Sequence, residues 1–184
     1  MEQRSGDYEF GVSKKTLSPP YTQYRNWQGQ LYDAQPSFPS VASNAYTNIL
    51  IRTDQVVELS YSIDSGAKIS FSLYRNPAIS DDGTPIDVTP TNDLITPAEN
   101  LFGGEVYSDP TITNSEFGDA IIDNAIRGAA SGPGNRPGTP GTVSPRVSRI
   151  LRPDTEYLIR TQNLGNNADY QSFFLEFTRL TPRL

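Results

Sequence analysis

Two stretches of this chain are versions of one phrase. Tyr74-Arg75-Asn76-Pro77-Ala78-Ile79-Ser80 is followed by Tyr107-Ser108-Asp109-Pro110-Thr111-Ile112-Thr113, 33 residues on when counted from Pro77 to Pro110. Proline fixes φ and removes a backbone donor, so neither phrase can lie inside a helix or a central strand. Each reads as a strand broken at its proline and restarted. The first is entered from the alternating run Ile69-Ser70-Phe71-Ser72-Leu73-Tyr74-Arg75, which has the period of two of a strand.

The rest of the apolar alternation agrees with strands. Val57, Leu59, Tyr61 and Ile63 share one face, with Glu58, Ser60 and Ser62 on the other. Asp64-Ser65-Gly66-Ala67 is a turn, so residues 55–75 read as a hairpin. Arg149 to Arg160 reads as strand, Pro153-Asp154 turn and strand; Ser172 to Leu180 closes with Phe173, Leu175 and Phe177 inward and Phe174 outward. Periodicity leaves residues 117–127 open between a short helix and a strand. Short strands with turns every eight to twelve residues predict an all-β chain folded as an antiparallel sandwich.

Two segments stand apart. Residues 1–43 carry Pro19, Pro20, Pro36 and Pro39 with no sustained period, and predict an extended N-terminal arm ahead of a sandwich domain at 44–184. Tyr8, Phe10, Tyr21, Tyr24, Trp27, Tyr32 and Phe38 are scattered along it, where a disordered tail is usually poor in aromatics. They are expected to anchor the arm on other chains. Burial contributes about 1.5–3 kcal/mol per anchor, while ordering costs about 1–2 kcal/mol per residue. The anchors alone cannot fix such an arm, so it also needs hydrogen bonds or many points of attachment. Residues 128–145 form a Gly/Pro-rich loop, long for a compact domain.

Composition removes several chemistries. The chain has no cysteine and no histidine, hence no disulfide, no thiolate metal site and no imidazole base. No apolar run approaches the roughly 20 residues of a membrane helix, and no signal-peptide h-region opens the chain. The glycines of residues 128–145 lack the following lysine of a phosphate loop. Asp81-Asp82-Gly83 with Asp87 lacks the spacing of a calcium loop. Asp81, Asp82, Glu105 and Asp109 are the carboxylates to test for hydrolysis, although each sits beside a turn. No cofactor, metal or catalytic residue is expected, and the protein is read as a non-enzyme. The net charge is −6, with 13 acidic and 4 basic residues between Tyr46 and Arg127 against 4 and 7 from Gly128 onward. An acidic middle argues against nucleic acid, and unlike patches suit contact between copies.

Three phrases in order resemble a family of tailed-bacteriophage virion proteins. They are Ser72 to Thr84, Val106 to Thr113, and Ile150 to Asn163, with a Gly-rich loop between the last two. The likeness spans residues 56–180 and leaves the arm unmatched. The chain departs from it at Arg152 and Asp154, where relatives carry lysine and asparagine, and in its longer loop. The resemblance implies a capsid decoration or cement protein with a jelly-roll-like sandwich. It would be made in the bacterial cytoplasm, sit on the outer surface of the virion capsid and bind the major capsid protein and itself, as a homotrimer or a dimer. In that role the arm aromatics contact the capsid, and Phe174, Arg136 and Arg146 fall between subunits. The alternative is a carbohydrate-binding or host-receptor-binding virion module, with Trp27, Tyr32, Tyr74 and Tyr107 as sugar platforms.

Overall fold

The computed structural model describes residues 9–10, 13–14, 30–91, 103–128, 141–143 and 148–180. Its body is an antiparallel all-β sandwich of two large sheets. One sheet holds β3 (Leu31–Ala34), β4 (Ser37–Val41), β6 (Val57–Ser65), β10 (Thr89–Pro90), β14 (Gly141–Val143), β15 (Arg149–Leu151) and β17 (Asp169–Arg179). The other runs β13 (Asp119–Arg127), β7 (Ile69–Arg75), β16 (Thr155–Asn163), β5 (Tyr46–Thr53), β11 (Gly104–Ser108) and β9 (Thr84–Ile86). Separately, β1 (Glu9–Phe10) pairs with β2 (Ser13–Lys14), and β8 (Ile79–Asp81) with β12 (Thr111–Ile112). Residues 119–127, left open by periodicity, are the edge strand β13.

The predicted hairpin over residues 55–75 does not form. β6 and β7 lie in opposite sheets, and the connection over residues 66–68 arches over the end of the core. The chain crosses likewise at β4–β5, β5–β6, β15–β16 and β16–β17. Alternation specifies which side chains point inward, and an arch and a hairpin alternate identically. Leu59, Tyr61 and Ile63 thus meet Ile69, Phe71 and Leu73 across the core, with Tyr61 stacked on Phe71 at 5.0 Å and 27°.

The arm is shorter than residues 1–43. β3 pairs with Leu175–Thr178 and β4 with Asp169–Ser172, so residues 31–41 run along β17 as one interrupted strand. Tyr32, Ala34 and Pro36 are buried, and Phe38 packs edge-on against Phe173 at 5.7 Å. Tyr32 and Phe38 therefore belong to the sandwich and its core, not to a set of exposed anchors. The period of two was present at 32, 34, 36 and 38, but Pro36 and Pro39 disguised it; an edge strand tolerates proline where a central one does not.

Polar ties fix the sheets to each other. Thr47 and Thr161 of one sheet converge on Gln171 Oε1 of the other at 2.6 and 2.5 Å, all three buried. Asn163, fully buried, donates through Nδ2 to the Val41 carbonyl at 2.8 Å. Paired polar groups in a core specify one alignment where apolar contacts alone would slide, although the Gln171 Nε2 group is buried here without a hydrogen-bond partner.

Candidate interaction surfaces

The twin phrases build the outer face of the six-stranded sheet. β7 is followed by Asn76 (φ 55) ahead of Pro77, and β11 by Asp109 (φ 54) ahead of Pro110. Asn and Asp tolerate this left-handed conformation best after glycine, so each phrase turns sharply off its sheet. The restarts β8 and β12 then pair with each other, Ile79 opposite Ile112. Each restart runs to the other's kink. Gly83 (φ +86) packs where a Cβ would stand 2.1 Å from the Ser108 carbonyl oxygen, and Gly118 (φ +82) where one would stand 2.2 Å from that of Arg75. Only glycine fits either place.

Beneath this clasp lies a symmetric row. Tyr74, Leu158, Leu50 and Tyr107 are opposite one another across β7, β16, β5 and β11. Leu50 and Leu158 stand outside the core cluster, yet both are wholly buried, and we assign their cover to the clasp, whose ends are tied down where the Asp109 and Asn76 amides donate to the Asn48 and Glu156 carbonyls. The central strands carry the same tetrapeptide, Leu50-Ile51-Arg52-Thr53 and Leu158-Ile159-Arg160-Thr161. The face thus has an internal two-fold relation, with one arginine at each end.

The two ends differ in chemistry. Arg52 gives two parallel hydrogen bonds to Asp82, at 2.5 and 2.6 Å, and a third from Nε to Glu156 Oε1 at 2.7 Å. It also lies 5.5 Å over the Tyr107 ring. The guanidinium holds the Asp82 carboxyl below its ordinary range, and the two acids raise the arginine in turn. Tyr107 donates to Glu105 at 2.8 Å, which raises its hydroxyl. At the other end Arg160 has rings on both sides, Tyr46 at 3.8 Å and Phe117 at 4.2 Å, and Phe117 packs on Tyr74 at 5.4 Å.

The carboxylates singled out for hydrolysis are structurally engaged. Asp82 holds Arg52, Glu105 accepts from Tyr107, Asp81 Oδ1 accepts from the Gly83 amide at 2.8 Å, and Asp109 makes the kink. A cavity of about 550 Å³ opens beside Arg52, edged by Asp54, Glu105, Asp154 and Glu156. Among the described residues no three potential ligands are placed to hold a metal ion, and no helix is long and apolar enough to cross a membrane.

The seven-stranded sheet has a different outer face. Phe174 is 41% exposed and stands opposite Ser62. Ser60 and Asp33 flank Glu176 on the neighbouring strands, and Glu58 pairs with Thr178 and Ile150. Burial first, then Glu58 and Asp33, push the Glu176 carboxyl up. Thr89 and Gln35 donate to Asp33, at 2.8 and 2.9 Å, and Ser148 to Glu58.

Of the residues expected to make contacts, Phe174 is exposed as required. Tyr74 and Tyr107 are half-buried in the clasp face, and Tyr32 is in the core. Tyr8, Tyr21, Tyr24, Trp27, Arg136, Arg146 and the Phe10 side chain lie outside the described residues. The loop over 128–145 is described only at Gly128 and at its end, where Gly141–Val143 pairs with β6. Sequence reasoning missed Arg160 with its two rings, and the Asp33, Glu58 and Glu176 trio. The repeated Leu-Ile-Arg-Thr would have revealed the first; the second needs the register. The chain matches no family model, no curated protein and no solved structure.

Proposed function

We propose that the protein is a non-enzymatic phage virion component that binds the outside of the head and cements neighbouring major capsid protein subunits. Its anchors are the arm aromatics Tyr8, Phe10, Tyr21, Tyr24 and Trp27. The observation that carries the reading is how the arm joins the body. Gln30 leads directly into β3, which lies antiparallel along β17, and the Arg179 amide donates to the Gln30 carbonyl at 2.8 Å. Tension on the arm therefore shears a whole row of hydrogen bonds at once instead of opening them singly. A cement protein needs such a junction, because internal pressure loads its contacts outward. Several attachment points then hold together when one lets go.

The test is saturable binding to expanded heads. Deleting residues 1–29, which leaves every strand of the sandwich in place, is expected to weaken binding at least about a hundredfold, as loss of one arm of a multivalent contact does. Undiminished binding by the truncated chain would sink the reading. The glycan-binding or receptor-binding alternative draws no support from the described aromatics: Tyr32 is core, Tyr74 is stacked on Phe117, and Tyr107 is engaged by Arg52 and Glu105.

A further inference from the structure

We infer that the outer face of the seven-stranded sheet is the docking site for the arm of a second copy, with residues 14–29 of one chain seated over Phe174 and the Asp33–Glu176–Glu58 row of its neighbour.

The face has a definite chemistry. Its outward side chains from β6 and β17 include Glu58, Ser60, Ser62, Asp64, Ser172, Phe174 and Glu176, with Asp33 added from β3. The serines are short, so they leave a shallow floor beside one protruding ring. Four of these eight residues are acidic and none is basic. Ile150 at 57% and Tyr170 at 47% exposure extend the apolar area beyond Phe174. Polar side chains stand between these three groups, so charge rather than a continuous apolar patch gives the face its character.

The occupant follows from charge and length. Residues 14–29 read Lys-Lys-Thr-Leu-Ser-Pro-Pro-Tyr-Thr-Gln-Tyr-Arg-Asn-Trp-Gln-Gly, with Lys14, Lys15 and Arg25 and no acid. It lies within residues 10–32, the longest carboxylate-free run of the first 45 residues. Tyr21, Tyr24 and Trp27 would supply partners for Phe174, which leaves Tyr8 and Phe10 as the anchors on the capsid. Sixteen residues, extended, reach about 50 Å, enough to cross onto an adjacent molecule.

A second copy is favoured over the chain's own face for two reasons. The arm leaves at Gln30, beside Arg179 at the end of β17, and must reverse to lie on Phe174 five residues back. The face also stays open in a single copy, as the exposure of Phe174, Tyr170 and Ile150 records. An arm passed head to tail closes into a ring, and one exchanged reciprocally gives a two-fold pair. Glu176 is raised because two like charges and burial press on it. A lysine or arginine arriving from a neighbour relieves both charge effects.

The inference does not rest on capsid binding, because its test uses the full-length protein alone in solution. Isotopically light and heavy copies are mixed at low salt and coupled by a zero-length carbodiimide, which joins lysine to a nearby carboxylate. Mixed-isotope links from Lys14 or Lys15 to Asp33, Glu58, Asp64 or Glu176 are expected. Sedimentation should show an oligomer that weakens about tenfold or more between about 0.05 and 0.5 M salt. Glu176→Lys should weaken it comparably while its circular dichroism and melting stay those of a folded sandwich. Phe174→Ser, a surface change, provides a second folded variant with the same expected loss. Links confined to single-isotope peptides would assign the face to the chain's own arm and overturn the inference. So would a monomer at all concentrations, or an oligomer indifferent to both substitutions.

Discussion

Arg52 and Arg160 occupy equivalent places under the clasp, at the same position of the same tetrapeptide, and are held in unlike ways. Arg52 is fixed by carboxylates, with three hydrogen bonds under 2.8 Å. Arg160 is fixed by rings, between Tyr46 and Phe117. The backbone relation is two-fold and the side-chain chemistry is not. The difference teaches what the repeat specifies: a covered Leu50–Leu158 row that needs a long, capped cation at each end, but not any one means of holding it. Asp82 follows β8 and Phe117 follows β12, so each restart delivers its own partner to its own end.

The sharpest way to test the two-fold relation is to damage its centre. Leu50→Ala and Leu158→Ala each empty a fully buried site and are expected to cost about 2–5 kcal/mol in urea unfolding. If the clasp covers both leucines alike, the two losses agree within about 1 kcal/mol, inside the usual spread for core truncations. A large loss at one position and a surface-like loss at the other would break the comparison.

The next largest effect separates the ends. Arg52→Met removes a bidentate contact and a third charged hydrogen bond, and is expected to cost about 1–2 kcal/mol in low salt. Arg160→Met keeps a long apolar stem between the rings and should cost about 0.5–1 kcal/mol. Added salt screens Asp82, which is 41% exposed in its side chain, so the Arg52 loss shrinks with ionic strength while the Arg160 loss changes less. Melting of both variants across a salt series reads the difference. Equal salt slopes would show that the ends work by one mechanism after all.

Much of this face was legible before any coordinates, and the illegible part has a physical cause. The proline phrases announced broken and restarted strands, and both restart where expected. That they pair with each other depends on β7 and β11 lying on either side of β16 and β5, a long-range fact outside any local window. The same limit misread β6 and β7 as a hairpin. Residues 31–41 failed for a different reason: turn chemistry at Pro36 and Pro39 outweighed a faint period of two at Tyr32, Ala34 and Phe38. The aromatic arm and the outward Phe174 were visible in the sequence, but the acids that share the face of Phe174 come from three strands far apart in the chain.

The smallest effect is the one that acid should expose. Asp82 is held below its ordinary carboxyl value by Arg52, so the folded chain binds this proton less readily than the unfolded chain does. A depressed acid contributes stability that is fully present above the unfolded carboxyl value and is lost as pH falls through the folded one. The gap in melting temperature between the wild type and Asp82→Asn should therefore be widest near neutrality and close in acid. Arg160 faces the rings of Tyr46 and Phe117, and no carboxylate ion pair to it occurs among the described residues, so the gap between wild type and Arg160→Met should hold across the same acid range. Parallel closing of both gaps would mean that acid loosens the clasp as a whole, and the distinction between a carboxylate-held and a ring-held end would then have no thermodynamic content.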